Sequence, residues 1–410
     1  MPQRSNNGFS KRYRRYRLAD LKRRECLRAV LTLWSNIAFP AFHVSESWFC
    51  SSADFSKLGD CAVMPPNTLR ITKGKQMENQ TTKPALWRRI AAFALLIAPA
   101  VSAWAAGAAP AEIKLDYAYY SPESLVIKRN GWLEQAFAPE HTQVRWVLSL
   151  GSNRALEYLN SGAIDIGSTA GLAAVLAKAN GNPIKTVYIF SRPEWTALVV
   201  RKDSPIKTLA DLKGKKIAAT KGTDPYLFTL RALHTAGLSR DDVEIVNLQH
   251  PDGRTALVNG QVDAWAGLDP HMAAAQIDNG ARLLYRNVDF NTWGFLNVRE
   301  DFLRQYPDAV TRVLKVYERA RAWIGAHPDE AAQIVSEDSK VSLAVAKLQL
   351  SRNDFSQPEP GETQIKALEA AAPILAQEQL VKPGTDLNRV IESLIDVQSA
   401  QSALAAAQRQ

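Results

Sequence analysis

The segment from Lys207 to Pro270, KTLADLKGKKIAATKGTDPYLFTLRALHTAGLSRDDVEIVNLQHPDGRTALVNGQVDAWAGLDP, constrains the fold more than any other stretch. Short apolar runs alternate with helical ones. Strands are expected over 216–220, 243–248 and 262–266, with helices over 225–236 and 251–259 between them. Asp224 and Pro225 suit an N-cap and a first helical position, and Gly237 stops that helix. Alternation of this length indicates an α/β layer with a largely parallel sheet. In such sheets ligands bind beyond the carboxyl ends of the strands, where helix N-termini present unpaired N–H groups. The loops 221–225 and 268–270 are therefore the first places to look for function.

Upstream, the same logic gives strands over 112–119, 143–150 and 163–167. Each leads to a loop that opens a helix, at 119–122, 151–153 and 168–171, so three loops converge on one rim. Further strands are expected over 184–190, 196–201 and 281–285, and the stretch 290–298 returns the chain to the first group. Two crossings, near 201–205 and 286–293, make a hinge between lobes that close on a ligand. Residues 106–203 with 291–390 form the first expected lobe and 204–290 the second. Amphipathic helices over 307–326, 328–337, 342–350 and 364–377 flank lobe 1, and 391–410 reads as a C-terminal tail with a frayed end.

Length and charge narrow the class. A chain of 410 residues suffices for two lobes, since single cores stop growing at about 250–300 residues. The formal charge of +9 lies wholly in residues 1–76, where 14 Lys and Arg stand against 5 Asp and Glu. All three cysteines, Cys26, Cys50 and Cys61, lie there too. That basic arm invites a nucleic-acid or lipid reading, but a secretion signal follows it. Lys83, Arg88 and Arg89 form a positive n-region, 90–98 an apolar h-region, and Ala103-Trp104-Ala105 a cleavage site. The apolar run falls short of the ~20 residues of a membrane span. Residues 77–105 are thus expected to be a signal peptide cleaved near Ala105, with translation starting at Met77 and 1–76 lying upstream of the working protein. With no cysteine at the cleavage site, no lipid anchor is expected. The neutral, cysteine-free remainder suits an oxidising compartment such as a Gram-negative periplasm.

Several motifs then occur in a recognisable order: GSNRALEYLNSGAIDIGSTAG at 151–171, LADLKGKKIA at 209–218, Lys221-Gly222, Asp263-Ala264-Trp265 and Asp269-Pro270. Over about 112–377 the chain resembles the periplasmic substrate-binding proteins of ABC importers, in the aliphatic sulfonate, taurine and nitrate group. The resemblance implies an α/β, two-lobe periplasmic binding protein fold of type II, with the two crossovers as hinge. It also implies a role in sulfur metabolism: capture of an aliphatic sulfonate or sulfate ester and delivery to a membrane permease driven by an ATPase. Taurine, nitrate or a thiamine precursor are the alternative ligands. No cofactor, metal or nucleic acid is implied; the protein is expected to be a monomer that meets the membrane only through the permease.

For the ligand, Ser152, Asn153, Ser168, Thr169 and Ala170 would present hydroxyl and N–H donors at helix starts, suited to the oxygens of a sulfonate. Ordinary capping accounts for the same residues. Tyr119, Tyr120, Trp195, Tyr226, Trp265 and Trp293 would wall the organic part of the ligand; Tyr119, Tyr120, Trp195 and Trp293, at loop edges, fit this best, and Trp265 within its strand is closer to core packing. In the loop Lys221-Gly222-Thr223-Asp224, the aspartate departs from the Lys-Gly-Ser-Ser pattern of the sulfonate group. It either caps its own helix or meets a cationic or hydroxyl group such as the amine of taurine, and Asp269 before Pro270 has the same two readings. Arg254 reads as a sulfate fork or as a solvated face.

The rivals are a biosynthetic enzyme on the same scaffold and the sensing domain of a DNA-binding regulator. His141, His234, His250, His271 and His327 form no HxxxH or HExxH pair, and no GxSxG elbow or P-loop appears. No helix-turn-helix accompanies the basic arm.

Overall fold

Two sheets, each covered by helices, are built from interleaved parts of the chain. The computed structural model describes residues 109–407. The basic segment 1–76 and the signal peptide expected over 77–105 lie outside the described residues. The elements of the first half are β1 (Glu112–Tyr117), α1 (Pro122–Asn130), α2 (Trp132–Phe137), β2 (Gln143–Leu148), α3 (Ser152–Ser161), β3 (Ile166–Ala170), α4 (Gly171–Ala179), β4 (Ile184–Pro193) and β5 (Leu198–Val200). Then come β6 (Lys216–Ala218), α5 (Asp224–Thr235), β7 (Glu244–Val246), α6 (His250–Val258), β8 (Ala264–Ala266), α7 (His271–Asn279), β9 (Arg282–Tyr285) and β10 (Gly294–Arg299). The chain closes with α8 (Glu300–Gln305), α9 (Pro307–Ala326), α10 (Pro328–Ser339), α11 (Leu343–Leu350), β11 (Asn353–Asp354), α12 (Glu362–Ala371), α13 (Pro373–Gln377), α14 (Leu387–Leu394) and α15 (Val397–Ala407).

The first sheet runs β11-β4-β10-β3-β1-β2 and the second β7-β6-β8-β5-β9. Strands joined by helical crossovers, such as β1–β2 and β6–β7, pair in parallel, as right-handed crossovers require. The strands that carry the chain between lobes, β5 and β10, pair antiparallel. Helix α9 opens on Pro307 and buries Ala309, Val310, Val313, Leu314, Tyr317, Ala320 and Ile324. That three-and-four spacing makes one apolar stripe, and each large side chain so covered contributes roughly 1.5–3 kcal/mol.

Three local expectations change. Strand β3 is shifted onto Ile166–Ala170, so Ser168 to Ala170 are sheet residues and not a helix-opening loop. Its partner β10, which sets Thr169 against Phe295, lies far along the chain and leaves no local trace. Strand β5 belongs to the second sheet, between β8 and β9, which moves the first crossing back to residues 194–197. The helix expected over 364–377 is split by Pro373, whose ring cannot sit within a helix. Within the tail, Ile391, Leu394 and Ala400 are buried, and α15, described to Ala407, packs on α9.

Candidate functional site

The loop after β2 in lobe 1 meets the start of α6 in lobe 2, where Gly151 lies against the His250 ring. In lobe 1, side chains tie the strand-to-helix junctions together. The Tyr120 hydroxyl donates to Ser168 O at 2.9 Å, and Ala170 N–H donates to Ser152 Oγ at 2.9 Å. The Tyr120 ring meets the hinge residue Trp195 edge-on at 5.8 Å. Tyr119 is only half-buried, its carbonyl accepts from Gln349 Nε2 at 2.6 Å, and its ring packs against the Leu125–Val335 cluster.

Donors expected to face a ligand are already engaged. Ser168 N and Oγ both donate to Asp116 Oδ1, at 2.8 and 2.9 Å. Thr169 Oγ1 donates to Ala170 O and accepts from Asn297 Nδ2 at 2.7 Å. At the start of α4, Gly171 N–H donates to Thr292 O and Leu172 N–H to Thr292 Oγ1. The sheet register that makes 168–170 a buried strand turns these groups inward. Helix α3 differs: Arg154 and Ala155 N–H donate to Gly151 O, while the Ser152 and Asn153 N–H groups meet no acceptor among the described residues. Those two amides, at the positive end of a ten-residue helix, are the N–H groups that this helix start leaves without a protein acceptor.

Asp224 neither caps its helix nor faces open cleft. Thr223 is the N-cap of α5, its hydroxyl donates to Thr220 O, and Gly222 holds the preceding turn at φ 77°. The Asp224 carboxylate accepts from Trp195 Nε1 at 3.1 Å, from Thr292 N at 3.0 Å and from Thr292 Oγ1 at 2.6 Å. It fastens the start of lobe 2's first helix to both hinge crossings. Burial raises its pKa, and the bonds from Thr292 and Trp195 oppose that. The capping reading of this residue is thereby corrected, because its partners come from hinge segments far away in the chain.

Asp269 does bond its own helix, accepting from Ala273 N at 2.8 Å, and also takes a two-pronged contact from Arg352 Nη1 at 3.0 Å. Arg352 comes from lobe 1 and additionally donates to Gln276 Oε1. Burial pushes Asp269 up to about 6 even with Arg352 drawing it down. Trp293 adopts a left-handed φ of 64°, with the Arg192 guanidinium 5.3 Å from its ring. It lines a hinge pocket of about 390 Å³ with Arg192, Arg231 and Lys366. Tyr226 and Trp265 are core, and Gly253 leaves the room that the Trp265 indole fills. Arg254 donates to Asp278 and Asn279 on the surface.

Three residues of consequence escaped sequence reasoning. Asp116 and Glu123 are fully buried carboxyls that burial pushes up to about 7 and about 8; neither Glu123 oxygen has a partner. His250, fully buried, opens α6, and burial drives its pKa down to about 3. A signal for it existed: three successive loops of the second lobe carry X-Pro starts, Asp224-Pro225, His250-Pro251 and Asp269-Pro270. Among the described residues no three His, Cys, Asp or Glu side chains converge to hold a metal, and no described helix is long and apolar enough to cross a membrane.

Comparison with known proteins agrees with this architecture. Residues 136–331 match the family model described as NMT1/THI5 like. A putative aliphatic sulfonates-binding protein of Escherichia coli is 29% identical over 303 residues, covering 73% of this chain and 94% of that protein. A Bacillus subtilis protein of the same description is 28% identical over 66% of this chain and 82% of its own length. Among solved structures, the alkanesulfonate-binding protein SsuA from Xanthomonas axonopodis pv. citri, bound to MOPS, superposes with a TM-score of 0.65. It is 27% identical, covering 71% of this chain and 99% of that one. These relatives are binding proteins. In its match over 136–331 and in its two-lobe fold, the chain is similar to the NMT1/THI5-like family and to these binding proteins.

Proposed function

We propose that this protein is the solute-binding component of an ABC importer that captures an aliphatic sulfonate or sulfate ester between its lobes. The observation that carries this reading is the start of α3, where Ser152 and Asn153 offer unpaired N–H groups at the hinged cleft. Tetrahedral sulfur oxyanions supply the acceptors such a helix start lacks, without a full counter-charge. The likeness to aliphatic sulfonate-binding proteins supports the same ligand class. Lobe closure would create the shape that a permease, with its ATPase, distinguishes from the open form. Export to the periplasm, with cleavage near Ala105, belongs to this reading, and no chemistry is assigned to the protein itself.

The test is thermal unfolding against a panel of alkanesulfonates, taurine, aryl sulfates, nitrate, sulfate and a thiamine-type pyrimidine. A ligand at 100 times its Kd stabilises the folded state by about 2.7 kcal/mol. Shifts confined to sulfonates or sulfate esters are expected. A shift with nitrate or the pyrimidine, and none with any organic sulfur oxyanion, overturns the ligand assignment.

A further inference from the structure

The hinge pocket lined by Trp293 stands apart from the loops at which the sequence places a ligand. Its volume of about 390 Å³ lies within the range of small-molecule sites, and no residue of 119–122, 151–153, 168–171 or 221–225 lines it. Lobe 1 supplies Arg192 from β4 and Lys366 from α12, and lobe 2 supplies Arg231 from α5. The second crossing supplies Asp289 and Trp293. An occupant would therefore touch both lobes and the segment that joins them.

Charge decides what suits this pocket. Three cations stand against one carboxylate in the lining, a surplus of two positive charges, and a concave surface of one sign concentrates counter-ions. Arg192 Nη2 donates to Asp289 Oδ1 at 3.2 Å, but that carboxylate is 78% exposed, so solvent screens the pair. Lys366 meets Glu362 at 3.1 Å on an exposed helix face. Arg231 is half-buried and donates only from Nη1, to Asp289 O at 3.4 Å and Phe290 O at 3.3 Å. Burial lowers its pKa, and Asp224, Tyr285 and Asp289 offset that only in part.

Both guanidinium groups thus reach Asp289 and stand side by side. Each is laid on an aromatic face, Arg192 at 5.3 Å from the Trp293 ring and Arg231 at 4.0 Å from Phe290, which fixes the planes of two forks. A guanidinium has five N–H donors. Arg192 Nε and Nη1 and Arg231 Nε and Nη2 have no protein acceptor among the described residues. Trp293 itself holds a φ of 64°, a strained conformation of the kind that clusters at ligand sites.

We propose that this pocket is a second binding site, for a small organic dicarboxylate, and that it is filled alongside the cleft that takes the solute. One carboxylate would bridge the forks of Arg192 and Arg231, and the second charge would be met by Lys366. The carbon chain between them would lie against Trp293. Two negative charges cancel the surplus in the lining, whereas a monocarboxylate leaves a cation unmatched.

Calorimetric titration of the full-length protein with succinate, glutarate, isophthalate and acetate tests the proposal. At least one dicarboxylate should bind with a Kd below about 1 mM and about 10-fold or more tightly than acetate. Arg192→Gln and Lys366→Gln alter side chains that are 40% and 71% exposed, so both variants should fold. Each should weaken that dicarboxylate by about 10-fold and leave solute binding unchanged. The dicarboxylate should also bind protein already saturated with the solute found by thermal unfolding. No binding of any dicarboxylate, unchanged affinity in both variants, or loss of binding when the solute is present overturns the second site and leaves the sulfonate reading standing. If no sulfonate or sulfate ester binds, that reading falls alone, and the two variants still decide this site.

Discussion

The hinge side of the cleft and the corner between α3 and α6 treat polar groups in opposite ways. At the hinge, the buried carboxylates are matched: Asp224 takes donors from Trp195 and Thr292, Asp269 takes Arg352, and Thr292 also serves the start of α4. At the corner, Asn153, Gln249 and His250 present atoms with no partner. Matched groups in a low-dielectric interior fix a geometry, whereas unmatched ones carry an uncompensated desolvation cost. The difference teaches that strands such as 166–170 satisfy their own hydroxyls within the frame, while the corner between α3 and α6 leaves polar atoms without partners.

Substitutions at the two regions should therefore differ in kind. The largest effect is expected for Arg352→Met, which leaves the Asp269 carboxylate buried without its cation. A loss of about 3–5 kcal/mol in denaturant unfolding is expected, and adding Asp269→Leu should recover much of it. If Arg352→Met unfolds like the wild type, the hinge side is not held as described.

Next comes Glu123, unmatched but inside lobe 1. Its folded-state value, about 8, stands above the ordinary 4.5, so the folded protein keeps a proton that the unfolded chain releases. The resulting stability is full below about pH 4.5, declines as pH rises through 8 and is lost above it. Glu123→Gln should thus gain on the wild type with rising pH, by on the order of 4 kcal/mol at the alkaline end. Asp116 adds a decline that ends near pH 7. Parallel stability–pH curves for wild type and Glu123→Gln would show that the carboxyl has a partner after all.

Asp224→Asn sharpens the comparison from the hinge side. The amide turns one acceptor oxygen into a donor that faces the Thr292 and Trp195 donors, at about 1–3 kcal/mol. Affinity for all ligands should fall by a common factor, since closure is impaired and no ligand contact is lost. Titration of several sulfonates that instead revealed altered selectivity would return Asp224 to the ligand. The smallest effect is expected for Ser168→Ala: about 1 kcal/mol of stability and no change in affinity by calorimetry. A clear loss of affinity there would show that this hydroxyl does not belong to the frame alone.

Much of this was legible in the sequence because it is locally encoded. Apolar runs bounded by Gly and Pro mark the strands, and Pro307 and Pro328 open α9 and α10 where the pattern places them. The motif order from 151 to 270 carried the resemblance to sulfonate-binding proteins that the comparisons also give. What only the tertiary structure decided are relations between residues far apart. The β3–β10 register turned Ser168 and Thr169 inward, the hinge gave Asp224 its partners, and the meeting of the lobes set His250 against Gly151. Period, cap and turn signals act over a few residues, so they specify elements and not which distant side chain completes a buried group's hydrogen bonds. That choice is made by packing, when water is excluded and each polar atom must find a partner or bear the cost of having none.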